Sequence, residues 1–198
     1  EELLDLAGVP EENWPELIDC FMGWTDAGDE HRLNGAEEDD AYYKAQGYKP
    51  KNAPLDTVDE LLLIKGFTPA IVYGGPPPDP KSEPLRGIAH LLTTFGDGKV
   101  NVNTASREVL LTLTAANGKM MDDWVVDDIL KYRLGDDGLP NTKDDGFDSV
   151  QDAISKSGMD ASLADKISVS DRQFVRVVSI GENGGVESGV WAVFEVGE

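Results

Sequence analysis

The chain has 198 residues, of which 40% are hydrophobic, so it is long enough and apolar enough to fold into one or two domains. It carries 38 acidic and 17 basic residues, a net charge of −21 at pH 7. A field of that sign repels phosphate backbones and attracts cations, which argues against nucleic-acid binding. Acidity also keeps a protein soluble, and composition alone leaves that explanation open. The single cysteine, Cys20, excludes an intramolecular disulfide.

The first half of the chain has helical periodicity interrupted by polar loops. The predicted segments are a short helix ending before Gly8, helices over 10–22 and 58–65, a loop over 25–40, a turn over 69–73, a surface loop over 74–87 and an undecided stretch over 88–95. Thr57 followed by Glu60 is typical of a capping box, which indicates where the helix over 58–65 begins.

The second half predicts further helices and then a change to strand. The predicted segments are a helix over 106–115 with Thr104 as its N-cap, a helix from Asp122 or Asp123 to Arg133, short helices over 149–157 and 161–167, and strands over 172–180 and 186–196 around a turn at 181–185. The fold class is therefore α+β, mostly α, with a C-terminal antiparallel β-hairpin. A lone hairpin is marginally stable in water, so it needs a sheet or a helical body to pack against.

The loop over 136–148 is the first candidate metal site. Ca²⁺ prefers six to eight oxygen ligands from a turn-rich backbone, and this loop combines glycines with a cluster of short acidic and amide side chains. The spacing is not that of an EF-hand, and a solvated acidic loop is the alternative. The candidate ligands are Asp136, Asp137, Asn141, Asp144, Asp145 and Asp148.

A second, weaker metal candidate lies in the loop over 26–40. Its candidate ligands are Asp26, Asp29 and Glu37, near Gly28 and Gly35. The alternative is that these carboxylates cap helices and close turns. We expect no catalytic site, because the two histidines are far apart in sequence and no nucleophile, zinc or phosphate-loop motif is present.

Segments 110–113, 127–133 and 147–154 resemble the helices of a helix-hairpin-helix DNA module. The intervening hairpin over 115–123 has a single glycine and is followed by aspartates, whereas a phosphate-binding hairpin needs glycines and positive charge. We interpret the motif as a packing unit that binds no nucleic acid.

The chain resembles the K-type minor pseudopilins of the bacterial type II secretion system over roughly residues 1–170. The resemblance is carried, in order and spacing, by Trp24, Asp26, Asp29, Gly35 to Glu37, Tyr42, Tyr43, Lys51 to Leu55, Val58, Glu60, Leu61, Gly66, Val100 to Ala105 (with Asn101, Asn103 and Thr104), Val109, Leu110, Leu113, Ile129, Leu130 and Arg133. One position differs, since Gly23 stands where the family usually has an aspartate before the tryptophan.

The resemblance implies a fold of two SAM-like helical subdomains, over 1–97 and 98–168, inserted in a pilin-type fold whose returning strands lie in 169–198. It implies a non-enzymatic subunit that caps the periplasmic pseudopilus tip with the I- and J-type minor pseudopilins. It also implies bound Ca²⁺, no small-molecule substrate, and an upstream inner-membrane helix that this piece of the protein lacks. Separately, the run from Asp137 to Asp145 is similar to the Ca²⁺ loop of the major pseudopilin.

Two other functions are weighed against this one. A helix-hairpin-helix nucleic-acid binder would need a basic stripe, and residues 119–148 hold 9 acidic and 4 basic residues. A Ca²⁺-stabilised secreted hydrolase would need a deep pocket with two carboxylates beside an apolar wall. For Asn101, Asn103 and Thr104 we favour a structural role in an irregular turn over direct partner contact.

Overall fold

The computed structural model describes residues 1–28, 30–76, 83–140, 142–169 and 173–196. The chain divides into two compact units, Glu1–Thr94 and Phe95–Glu198. It is mostly helical with a C-terminal antiparallel hairpin, as the sequence predicted, and it also contains two short strands outside the hairpin. No helix in the described ranges has both the length and the apolar character needed to cross a membrane.

The first unit is built from short helices around an aromatic centre. Its elements are α1 (Glu2–Leu6), α2 (Trp14–Thr25), α3 (Ala41–Gln46), α4 (Pro69–Tyr73) and 3₁₀ helices over Glu11–Asn13, Val58–Leu63 and Ala89–Leu91. Helix α2 buries Leu17, Cys20 and Trp24 along one face, as helical spacing requires. Trp24 lies 6.1 Å from Tyr43 and 6.2 Å from Tyr48, measured between ring centroids, so aromatic packing fixes α2 against α3.

Several boundaries in this unit differ from the prediction. The predicted turn over 69–73 is a helix, because Thr68 Oγ1 accepts the N–H of Ile71 and Pro69 suits the first helical position. Helix α3 was not predicted, although Asp40 is its N-cap and accepts the N–H of Tyr42 at 2.7 Å. The predicted helix over 58–65 is a shorter 3₁₀ segment.

The second unit packs three helices beside a small parallel sheet. Its elements are β1 (Val100–Asn101), α5 (Arg107–Leu111), α6 (Asp123–Tyr132), α7 (Val150–Ser157), a 3₁₀ helix over Ala161–Leu163, β2 (Ile167–Ser168), β3 (Gln173–Asn183) and β4 (Val186–Val196). The pairing of β1 with β2 was not predicted, and β2 takes the end of the segment expected to be helical over 161–167. Val102, Leu110, Val126, Ile129 and Ile167 form the centre of its core.

The prediction that Thr104 is an N-cap was wrong. Helix α5 is capped by Ser106, whose Oγ accepts the N–H of Val109 at 3.3 Å. Thr104 lies in the preceding turn, where its N–H donates to the carbonyl of Asn101 at 3.1 Å. The helix also ends at Leu111 rather than at 115, and Thr114 pairs with Met120 in an isolated antiparallel bridge.

The hairpin of β3 and β4 is longer than predicted and closes with a tighter turn. Asn183 pairs with Val186, so the turn is only Gly184 and Gly185, both with positive φ (60° and 80°), which suits a two-residue hairpin connection. Residues facing one side carry no charge, and we call this side the uncharged face. It consists of Val175, Val177, Ser179, Gly181, Asn183, Val186, Ser188, Val190, Ala192 and Phe194.

Candidate metal centre

Three of the predicted ligands come together at the tip of the loop between α6 and α7. Asp137, Asp144 and Asp145 each offer a carboxylate oxygen, and these oxygens lie within 4.8 Å of one another. Among the described residues, this is the one group of three or more acidic, histidine or cysteine side chains that lie close enough together to share a metal ion.

The hydroxyl of Thr142 lies in the middle of this group. Its Oγ1 is 2.8 Å from Asp144 Oδ1, 3.0 Å from Asp145 Oδ1 and 3.4 Å from Asp137 Oδ1, and it is 3.3 Å from the carbonyl oxygen of Leu139. A hydroxyl has a single proton and can donate it to only one of these oxygens at a time. Asp137 Oδ1 also accepts the N–H of Leu139 at 2.8 Å. The group consists entirely of oxygen atoms, a composition that suits a hard cation.

Backbone donors fix the orientation of these carboxylates. Asp144 Oδ2 accepts the N–H of Asp136 at 2.7 Å, and Asp145 Oδ2 accepts the N–H of Thr142 at 3.2 Å. The hydrogen bond from the Thr142 hydroxyl, together with that from Asp136, lowers the pKa of Asp144. Asp144 therefore stays ionised to a lower pH than an ordinary aspartate.

Gly135 provides the space that Asp144 occupies. Its φ is +68°, and a Cβ there would lie 2.4 Å from Asp144 Oδ2 and 2.7 Å from the Asp144 carbonyl oxygen. Only glycine adopts this conformation readily and also leaves this space open.

The loop is closed at its base by the motif that begins at β1. The N–H of Gly146 donates to the carbonyl of Arg133 at 2.8 Å, which joins the two ends of the loop. Asn103 Oδ1 accepts the N–H of Phe147 at 2.8 Å, and Asn103 Nδ2 donates to the Phe147 carbonyl at 3.2 Å. Asn103 therefore pairs with Phe147 as a neighbouring strand would, and Phe147 is buried in the core.

Arg133 links the same base to the turn that precedes α5. Its Nη1 donates to the carbonyl of Ala105 at 2.7 Å, and partial burial lowers the pKa of its guanidinium. Asn101 Oδ1 accepts the N–H of Asn103 at 2.9 Å, so the turn holds its own shape. Asn101, Asn103 and Arg133 thus lie at the base of the acidic loop.

The other predicted ligands of this loop lie elsewhere or outside the described residues. Asp136 contributes its backbone N–H to Asp144, and its side chain and Asp148 are outside the carboxylate group. The carboxylates of Asp136 and Asp148 both attract the ammonium group of Lys156. The pKa of Lys156 is raised mainly by its hydrogen bond to Asp152 and less by these more distant charges. Asn141 is one of the residues that the structure does not describe.

In the second candidate loop, Asp26 is paired with a cation from the chain itself. Arg32 Nη2 lies 2.7 Å from Asp26 Oδ2. Glu37 is buried, and a Cβ added at Gly23 would lie 2.6 Å from its Oε1. The glycine that departs from the family pattern therefore leaves room for the Glu37 carboxylate, and Asp29 lies outside the described residues.

The remaining motif residues have structural positions in the first unit. Tyr43 is fully buried, and its burial raises the pKa of its hydroxyl, while Tyr42 packs edge-on against it with 5.2 Å between ring centroids.

Asn52 adopts a positive φ of 51°, which asparagine tolerates better than most residues. Glu60 accepts the N–H groups of Asp56 and Thr57 and pairs with Lys51 at 3.1 Å. Partial burial opposes the effect, yet Lys51 and these N–H groups lower the pKa of Glu60.

Residues 1–73 match the family model described as type II secretion system protein K. This segment comprises α1 to α4 and includes Trp24, Glu37, Tyr43 and Glu60. No curated protein matches the chain. Over these first 73 of its 198 residues, the chain is similar to protein K of the type II secretion system, which supports a role in type II secretion.

Proposed function

We propose that the protein caps the tip of the type II secretion pseudopilus in a complex with the I- and J-type minor pseudopilins. The match of residues 1–73 to protein K carries this proposal. In this role the protein is non-enzymatic and periplasmic, has no small-molecule substrate, and is held at the inner membrane by an upstream helix. Its bulk above the fibre prevents a further subunit from adding.

The hairpin supports a pilin-type arrangement. Its uncharged face carries exposed apolar side chains, including Val190 at 70% and Phe194 at 54% exposure, in a chain where 28% of the residues are charged. An apolar sheet face of this kind is stable in water once another element covers it. In our proposal the helical units are SAM-like insertions, and the hairpin completes the pilin sheet of the full-length protein.

The acidic loop supports the binding of Ca²⁺. Asp137, Asp144 and Asp145 supply carboxylates, and the Thr142 hydroxyl and the Leu139 carbonyl add neutral oxygens to the same group. This all-oxygen set on a turn-rich loop suits Ca²⁺ better than a metal that prefers nitrogen or sulfur. Bound Ca²⁺ would neutralise the mutual repulsion of the carboxylates and hold the loop in one conformation.

Co-purification tests the assembly. The full-length protein is co-expressed with the I- and J-type pseudopilins of the same secretion system, and the tagged J-type subunit is isolated. We expect all three proteins in one complex with defined stoichiometry. Recovery of the I–J pair without this protein, at concentrations where each subunit is folded, would contradict the proposed cap.

Thermal unfolding tests the metal. We expect excess Ca²⁺ to raise the melting temperature relative to EDTA, because a ligand that binds only the native state stabilises it by about 2.7 kcal/mol at a hundred times its Kd. Asp144→Asn should reduce this gain strongly. Asp165→Asn is the matched control, since it removes an equal charge from an exposed aspartate elsewhere in the unit. Identical melting curves in Ca²⁺ and EDTA would exclude the site.

A further inference from the structure

The described part of the chain contains the dipeptide Asn-Gly at Asn34, Asn117 and Asn183. In this dipeptide the backbone nitrogen of the glycine can attack the side-chain amide of the asparagine, since no glycine side chain shields that nitrogen. The sequence gives the three sites the same intrinsic reactivity, and their hydrogen bonds distinguish them.

At Asn34, both reacting groups are held in place. The backbone N–H and the side-chain Nδ2 of Asn34 each donate to Asp19 Oδ2 at 3.0 Å. The nitrogen that would attack belongs to Gly35, and its N–H donates to the carbonyl of Arg32 at 3.2 Å. The reaction at this site has to break these hydrogen bonds first.

At Asn117, a tight turn holds the same groups. Asn117 Oδ1 accepts the N–H of Lys119 at 2.9 Å, and the N–H of Gly118 donates to the carbonyl of Ala115 at 2.9 Å. Ala115 in turn donates its N–H to the carbonyl of Lys119 at 2.9 Å, which closes the turn. The attacking nitrogen is again engaged.

At Asn183, the attacking nitrogen is not engaged in this way. Among the described residues, the N–H of Gly184 makes no backbone hydrogen bond of the kind that holds Gly35 and Gly118. A Cβ at Gly184 or at Gly185 would meet nothing within 4 Å, so there is open space beside this turn, as there is beside Gly118. Exposed ends of this kind open locally at low free energy.

We propose that Asn183 is a site of spontaneous covalent modification. The nitrogen of Gly184 attacks Cγ of Asn183, so that a new N–Cγ bond forms and a cyclic imide results. The Cγ–Nδ2 bond breaks, and Nδ2 leaves as ammonia with the proton from the Gly184 N–H. Water then opens the imide at either carbonyl and gives aspartate or isoaspartate at position 183.

The modification changes the uncharged face, because Asn183 belongs to it. Either product places a carboxylate among side chains that otherwise carry no charge on that face. The isoaspartyl product also lengthens the backbone at the residue pair Asn183 and Val186, which sets the register of β3 against β4. The modification therefore alters both the charge and the strand pairing at this end of the hairpin.

The test follows the three peptides by mass spectrometry. The whole chain is incubated at mildly alkaline pH, folded or in urea, and then digested, and each Asn-Gly peptide is quantified as amide, aspartate and isoaspartate. We expect the Asn183 peptide to convert several-fold faster than the other two in the folded chain. In urea we expect all three to convert at similar rates, because only the sequence effect remains.

Variants provide the control. Asn183→Gln should abolish conversion at that peptide, since the longer side chain disfavours ring closure, and Asn117→Gln should leave the Asn183 rate unchanged. Conversion of Asn34 or Asn117 as fast as Asn183 in the folded chain would overturn the proposal. So would an Asn183 peptide that stays unmodified when the folded chain is incubated but converts in urea.

Discussion

A single amide side chain ties the acidic loop to the core of the second unit. Asn103 makes two hydrogen bonds to the backbone of Phe147, and Phe147 lies two residues beyond Asp145. Because Phe147 is buried, its N–H and carbonyl cannot exchange these bonds for water without cost. The position of Asp145, the last of the three grouped carboxylates, therefore depends on a residue 42 positions earlier in the chain.

Asn103→Ala should destabilise the protein by about 1–3 kcal/mol, the cost of leaving buried polar groups unsatisfied. It should also weaken Ca²⁺ binding, because the base of the loop is no longer fixed. Urea unfolding measures the first effect and calorimetric titration the second. Asn117→Ala is the control, since that exposed amide should change stability by no more than about 0.5 kcal/mol. Equal stability of the two variants would contradict the role of Asn103.

The lowered pKa of Asp144 predicts a pH dependence of the loop. The folded value lies below the ordinary aspartate value of about 3.9, so the stabilisation from the Asp144 carboxylate is fully present above that pH. It is lost as the pH falls through the folded pKa. In EDTA, the melting temperature of the native chain should therefore exceed that of Asp144→Asn at neutral pH, and the gap should close in acid. A gap that stays constant into the acid range would disprove this.

Among the secondary-structure elements, α5 shows how neighbouring residues compete for one role. Thr104 and Ser106 are both good N-cap residues, and sequence alone favoured the first. The turn over 101–105 takes the backbone of Thr104 and Ala105 for hydrogen bonds to the Asn101 carbonyl. The helix therefore begins two residues later, where the Ser106 side chain is free to accept from Val109.

Ser106→Ala should cost about 1 kcal/mol of stability, the usual value for losing an N-cap hydroxyl. Thr104→Ala should cost less, because the Thr104 contact that shapes the turn is made by its backbone N–H. Chemical denaturation of the two variants side by side measures the difference. A larger loss for Thr104→Ala would restore Thr104 as the cap.

For the whole molecule, charge is the dominant property. The excess of 21 negative charges is distributed over both units. Like charges at this density oppose the compact state, and salt screens them over a Debye length of about 10 Å at 0.1 M. Divalent cations bound at the loop would act more locally than such screening.

We therefore expect sodium chloride to raise the melting temperature of the chain in EDTA, progressively up to about 0.1 M, where the Debye length reaches about 10 Å. Ca²⁺ at equal ionic strength should raise it further if the loop binds Ca²⁺ as we propose. Differential scanning fluorimetry measures both series. Sodium and calcium that act equally at matched ionic strength would show screening alone.

Sequence reasoning identified the acidic loop over 136–148 but could not choose among its carboxylates. Asp136 and Asp137 are neighbours with the same chemistry, yet only Asp137 joins the carboxylate group. The choice depends on the positive φ of Gly135 and on the backbone N–H of Asp136, which donates a hydrogen bond to the Asp144 carboxylate. A glycine just after a helix was the one available signal of that turn.

The sequence by itself determined the predominantly helical class and the C-terminal hairpin, because periodicity and turn residues are local properties of the chain. The tertiary structure decided that Asn103 reaches Phe147 and that β1 pairs with β2. It also decided that Thr142 lies among three carboxylates. These contacts join residues distant in sequence or depend on backbone angles, and no local pattern specifies them because packing selects them.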